Sequence, residues 1–252
     1  MRYFICLLSF LFFVGCEENS SNKNSAKKSE SVLNIAVSAD YPPYIYSQKG
    51  KLVGFEVEVI NAVAKSLDKT IHFHDIDFHG ILKTVSAKQV DGAISAIAAT
   101  PERREMVDFS NPYHRSMTVL VVPFATSIRS IDDLHDKVVG VESGTIYEDD
   151  LKKKNFKDIK FFARKKFPEL QEALKGHKCD AIVTGYPEAY EMQNGNPDLK
   201  IIPIEGTVIT FSIALPKNSP LLKPINDKLQ SMIESGDLRK LESQYFKKIV
   251  ED

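Results

Sequence analysis

Short apolar runs alternate with amphipathic stretches along nearly the whole chain from Val32 onward. Residues 32–38 predict a strand, and in residues 55–67 the side chains of Val57, Ile60, Val63, Ala64 and Leu67 fall on one helical face. A strand at 71–75, a helix near 80–87 and a strand at 91–95 follow. Thr100-Pro101-Glu102-Arg103 then opens another helix, because Thr100 suits the N-cap and Pro101 the first helical position. Alternation of this kind places the chain in the α/β class, on a largely parallel sheet.

The pattern breaks at 109–113 and resumes as a second set. Strands are expected at 117–122, 137–141, 159–163 and 180–184, with helices at 130–134, 145–153, 168–174 and 187–193. Residues 208–215 read as one extended run, and 221–246 as two helices broken at Gly236. Two similar sets joined near residues 114 and 207 predict two lobes, each a mixed sheet flanked by helices. One lobe would comprise 32–113 with 208–252 and the other 114–207, linked by a two-strand hinge. A cleft between such lobes is the expected place for a ligand, with hinge closure around it.

The first 15 residues carry Arg2, an apolar run from Phe4 to Val14, and Gly15, which together predict a secretory signal whose core is too short to span a bilayer. Residues 16–31 are Ser, Asn, Lys and Glu with almost nothing apolar and predict a flexible tether. Cys16, directly after the small Gly15, resembles the lipobox of bacterial lipoproteins, which implies an acylated thiol and a lipid anchor in the membrane. An ordinary cleaved signal with an incidental cysteine is the other reading.

Lysine and arginine number 33 against 34 aspartate and glutamate, so no strong field gathers nucleic acid. With Cys16 acylated, Cys179 is the one thiol left in the mature chain, and its apolar surroundings predict a strand-end core residue. The six histidines show no metal-ligand spacing, and neither a metal nor a cofactor is expected.

Five segments together resemble the polar-amino-acid solute-binding proteins, family 3, of ABC importers. They are ADYPPY from Ala39, KLVGFEVEVINAVAK from Lys51, VDGAISAIAATPERREMVDFSNPY from Val90, DDLHDKVVGVESGT from Asp132 and CDAIVTG from Cys179. The resemblance implies a flytrap-like fold, a monomer, a polar or cationic amino acid as ligand, and ABC permease subunits as partners. It implies that Arg103 holds the ligand carboxylate, a task that suits the planar guanidinium fork. Thr145, at a helix start, would meet the same carboxylate. Ser95, Ala96 and Ala98 would form a loop of small residues facing the ligand, with Ala98 where a hydroxyl is usual. Tyr41 and Phe78 would sandwich the ligand side chain, and Phe55 would pack inside the first lobe.

Two departures stand out. Gly185 occupies the place of the family's aspartate for the ligand ammonium, and Ser38 that of another frequent aspartate. Glu142, Glu188 or backbone carbonyls near Ala96 are candidate substitutes, with a surface glutamate before a turn as the other reading of Glu142. A dehydratase acting on cyclic amino-acid precursors, with Glu142 or Glu188 as acid, and a sensor working through a separate partner are the competing functions.

Overall fold

The computed structural model describes residues 31–153 and 158–246; the expected signal, Cys16 and the tether up to residue 30 lie outside the described residues. Two five-stranded sheets carry the fold. The first runs in the order Lys69–Asp75, Ser31–Val37, Gly92–Ala93, Ala214–Leu215 and Asp108–Phe109. Its first three strands are parallel, and Ala214–Leu215 enters antiparallel between segments more than 100 residues earlier in the chain. The second runs Lys160–Arg164, Val138–Glu142, Ala181–Gly185, Thr118–Pro123 and Leu199–Pro203, three parallel strands followed by two antiparallel to their neighbours. The molecule is therefore α/β, with two lobes that each hold a mixed sheet.

The helix Phe55–Ser66 buries Val57, Ile60, Val63 and Ala64, the face its apolar spacing predicts. In the second lobe Phe167–Lys175 turns Phe167, Leu170, Ala173 and Leu174 inward. Cys179 is buried just ahead of the strand Ala181–Gly185, where burial pushes its thiol up to about 11. Between the lobes, His114–Ser116 pairs antiparallel with Ile209–Phe211 in a separate two-stranded sheet. These are the two crossing segments of the hinge.

Several elements differ from expectation. The run at 208–215 is two strands, because the Ser212 N–H turns aside to the Ile97 carbonyl at 3.0 Å and the Ile213 N–H to Ser110 Oγ at 2.9 Å. The segment between the first strand and the first helix folds as a three-stranded meander of Asp40–Tyr41, Ile45–Gln48 and Lys51–Val53. Leu199–Pro203 adds an edge strand to the second sheet. Residues 131–134 form a 3-10 turn closed by a capping box between Ser130 and Asp133.

Candidate ligand-binding cleft

The parallel strands of both mixed sheets aim their ends, and the helix starts that follow, at the gap between the lobes, the usual site geometry of open α/β sheets. A small cavity of about 20 Å³ lies there. Ser38, Tyr41, Phe78, Ser95, Ala96, Ala98 and Arg103 of the first lobe line it, with Glu142 and Thr145 of the second. Ile146, Tyr147 and Phe211 complete the wall. Of the residues singled out in the sequence for the cleft, Gly185 and Glu188 are absent from it.

Arg103 is placed by a locally encoded helix start. Thr100 Oγ1 accepts the Arg103 N–H at 3.3 Å and Pro101 opens the helix Pro101–Met106. The side chain is 8% exposed. It donates from Nη1 to the Ala98 carbonyl and from Nη2 to the Gly144 carbonyl, each at 2.9 Å. Ala98 belongs to its own lobe and Gly144 to the other, so this one guanidinium ties the lobes together. It also lies 5.8 Å from the ring centroid of Phe78, a cation-π distance. Burial lowers its pKa, against Asp149, Tyr147 and Glu102, but an arginine so placed stays charged.

Opposite it, the strand Val138–Glu142 ends in the turn Ser143-Gly144-Thr145. Gly144 has φ +81, and a Cβ there would stand 3.0 Å from His79 across the cleft. Glycine thus allows both the left-handed turn and the close approach of the lobes. Thr145 caps the helix Ile146–Lys153, its Oγ1 accepting the Glu148 N–H at 3.5 Å and donating to the Glu142 carbonyl at 2.7 Å. Not all the amides at this helix start are free, since the Gly144 N–H already donates to Glu148 Oε2 at 2.9 Å.

The small-residue loop is held from below. Glu56, fully buried in the first turn of its helix, accepts the Ala96 N–H at 2.6 Å and the Tyr113 hydroxyl. Burial pushes its carboxyl up to about 7, against both of those bonds. Ala96 itself adopts φ +47. Ser95 Oγ accepts the Ser38 N–H at 3.1 Å, and Ser38 Oγ donates to Asp40 Oδ1 at 3.0 Å. A carboxylate therefore stands two residues beyond Ser38, although Asp40 is not part of the cavity wall.

Tyr41 reaches across the cleft, its hydroxyl 3.0 Å from Thr184 Oγ1 and its ring edge-on to Phe167 at 5.1 Å. Lys166, next to Phe167, pairs with Asp77 at 3.1 Å and approaches Asp40 at 3.7 Å. Glu142 is 5% exposed, so the surface reading of this residue is excluded. Burial and the like charge of Asp40 push it up to about 8, with Lys166 opposing and Asp77 adding a smaller like-charge contribution.

Gly185 sits outside the wall for a visible reason. A Cβ on it would lie 2.4 Å from Glu188 Oε2 and 2.9 Å from the Tyr147 hydroxyl. Glu188, in the first turn of the helix Tyr186–Gly195, has filled that space. Tyr147 escaped the sequence reading although it lies two residues past Thr145, on the first turn of a helix already aimed at the cleft. Phe211 carried no signal, since its position depends on where the run at 208–215 divides.

A family model described as bacterial extracellular solute-binding proteins, family 3, matches residues 33–248. The chain belongs to this family. Among family 3 relatives, the arginine-binding extracellular protein ArtP of Bacillus subtilis is 32% identical, the match covering 92% of this chain and 91% of ArtP. A probable histidine-binding protein of Campylobacter jejuni is 30% identical, the match covering 78% of this chain and 77% of that protein. A solved ancestral arginine-binding protein bound to arginine superposes with a TM-score of 0.81 at 34% identity, covering 86% of this chain and 99% of that one. An ancestral arginine-binding protein solved bound to glutamine superposes with a TM-score of 0.81 at 33% identity, covering 86% of this chain and 98% of that one.

Proposed function

We propose that this chain is the substrate-binding lipoprotein of an ABC importer. It takes a small polar or cationic amino acid, or a related carboxylate solute, between its lobes, 32–113 with 208–252 and 114–207, and presents the closed form to permease subunits. Cys16 carries the lipid that keeps it at the cell envelope. The observation that supports this reading best is the meeting of Arg103 from one lobe and Thr145 from the other on a single cavity walled by Tyr41 and Phe78. A carboxylate placed there gains a charge-assisted contact, and flat rings hold the rest of the solute. Closure needs no bond chemistry, only a ligand that interacts more strongly with the closed state than with the open one. The relatives named for arginine and histidine binding support the same class of solute.

A thermal-shift panel of amino acids, amines and keto acids on protein unfolded, freed of ligand and refolded tests the proposal. Stabilisation by amino acids and not by the matching amines is expected. A panel with no amino-acid response would reject it. One observation favours a second reading: Glu142, a cavity carboxyl held near 8, is poised as an acid for a dehydratase. Turnover of prephenate or arogenate by the purified protein would establish that activity, and intact substrate would dismiss it.

A further inference from the structure

Away from the cleft, the strand Lys69–Asp75 forms an outer edge of the first sheet, beside Ser31–Val37. It carries His72 and His74, and residues two apart on a strand share a face. Helical and finger spacings are absent from the histidines, which is why their positions along the chain point to no metal. A strand brings a pair together in a different way. The ring centroids of His72 and His74 stand 4.7 Å apart at an interplanar angle of 81°. Two imidazoles bound side by side to one ion, with metal–nitrogen bonds of about 2.0 Å, place their centroids on the order of 4.5 to 5 Å apart. His72 is exposed and His74 half-buried, so an ion can reach the pair from solvent.

One ring is already set as a ligand. His74 Nε2 lies 3.0 Å from Asn34 Oδ1 on the neighbouring strand. Asp91 fixes that amide in turn, its Oδ2 accepting the Asn34 N–H at 2.8 Å and Asn34 Nδ2 at 3.4 Å. With Nδ2 turned to the carboxylate, Oδ1 is the atom left for the imidazole, so Nε2 carries the proton and donates it. Nδ1 of His74 keeps its lone pair, and among the described residues no protein group takes it. An imidazole whose other nitrogen donates to an oxygen is the usual state of a metal ligand, because that bond holds the ring and raises its basicity. His72, the register partner of Asn34, has no hydrogen-bond partner among the described residues and can turn to share an ion with His74.

We propose that His72 and His74 chelate a divalent transition-metal ion on the outer edge of the first lobe, with Asn34 as the positioning residue that holds His74 in its ligating tautomer. Two neutral imidazoles suit Cu(II), Ni(II) and Zn(II), whereas Mg(II) and Ca(II) take oxygen ligands. Copper binds most strongly in that series. Waters complete the coordination, because among the described residues no third histidine, cysteine or carboxylate joins the pair. The site is therefore open and exchangeable, unlike a closed structural centre with four protein ligands. The strand already holds the rings near the spacing that one ion needs, so the second imidazole adds affinity with little further ordering. This site is independent of the amino-acid-receptor reading, since its strand shares no residue with the cavity wall.

Titration of the refolded, ligand-free full chain with Cu(II), Ni(II) or Zn(II) chloride, in a buffer that does not chelate, tests the site by calorimetry. The double variant His72→Ala with His74→Ala gives the background from the rest of the chain. Above that background the wild type should bind one ion, copper more tightly than nickel or zinc. His72→Ala and His74→Ala should each weaken it at least tenfold, on the order expected when a chelate loses one arm. His72 is exposed, so its variant folds, and the unfolding temperature without metal checks the others. In electron paramagnetic resonance the bound copper should show two imidazole nitrogens in the wild type and one in either single variant. Asn34→Ala should keep both nitrogens and weaken copper on the order of tenfold. A single variant that binds like the wild type, a wild-type isotherm identical to the double variant's, or a copper spectrum with fewer than two imidazole nitrogens would overturn the site. Unchanged affinity in Asn34→Ala would overturn the positioning role. Amino-acid binding is read separately by the thermal-shift panel, so either proposal can fail without the other.

Discussion

Arg103 Nη2 donates at 2.9 Å to the carbonyl of Gly144, so the guanidinium that faces the cavity is also a bond between the lobes. Ligand anchoring and closure therefore share one side chain. Arg103→Lys keeps the charge but cannot reach the Ala98 and Gly144 carbonyls and a ligand carboxylate together. A loss of affinity of roughly tenfold or more is expected for Lys, and roughly a hundredfold or more for Ala. Calorimetry with the best ligand of the thermal-shift panel measures both, and an Ala variant that binds like wild type would remove Arg103 from the site.

Tyr41 offers a cleaner test of closure, because its hydroxyl meets Thr184 from the opposite lobe while its ring stays buried against Phe167. Tyr41→Phe should leave each lobe folded and destabilise the closed state by about 1 kcal/mol, the net worth of one hydrogen bond. The expected readout is an affinity loss of roughly fivefold, with a larger radius of gyration in solution scattering. Unchanged affinity and scattering would mean that the Thr184 contact does not favour closure.

Glu56 makes stability depend on pH. Its folded pKa, about 7, lies above the usual 4.5, so between these values the folded chain holds a proton that the unfolded chain has lost. The contribution is complete below pH 4.5 and is lost as pH rises toward about 7. Denaturant unfolding should show the wild type losing about 3 kcal/mol more than Glu56→Gln across this window. Glutamine keeps an acceptor for the Ala96 N–H and the Tyr113 hydroxyl, so the variant folds. Parallel pH profiles would show that Glu56 is ionised throughout.

Cys179 should be inert in the folded protein. With its thiol pushed up to about 11 by burial and by Asp180, almost none is thiolate at pH 8. Reaction with Ellman's reagent is expected to be about a hundredfold or more slower than in denaturant. A fast reaction under native conditions would mean that this strand end opens readily.

What the chain reveals before it folds depends on how local each determinant is. The start of the Arg103 helix is legible because Thr100 and Pro101 act within one turn, and the apolar face of Phe55–Ser66 because its period is internal to the helix. The meander at 40–53 is not legible, since strands of two to four residues are too short to show an alternation. Glu142 reads equally well as a solvated or a cleft residue until the strand is seen to run through it with the opposite lobe against it. Gly185 is the instructive case. By itself it reads as a lost charge, and only the helix that follows shows that Glu188 has folded back into the vacancy. That relation is not local in the sequence, because it depends on the angle at which the helix leaves the strand.

The placing of Ala214–Leu215 between Gly92–Ala93 and Asp108–Phe109 orders events during synthesis. Every strand of the second sheet has left the ribosome once Pro203 has emerged, whereas the first sheet stays split until Leu215 follows. A nascent chain halted between these points would hold one finished half beside two fragments still waiting for the strand that joins them.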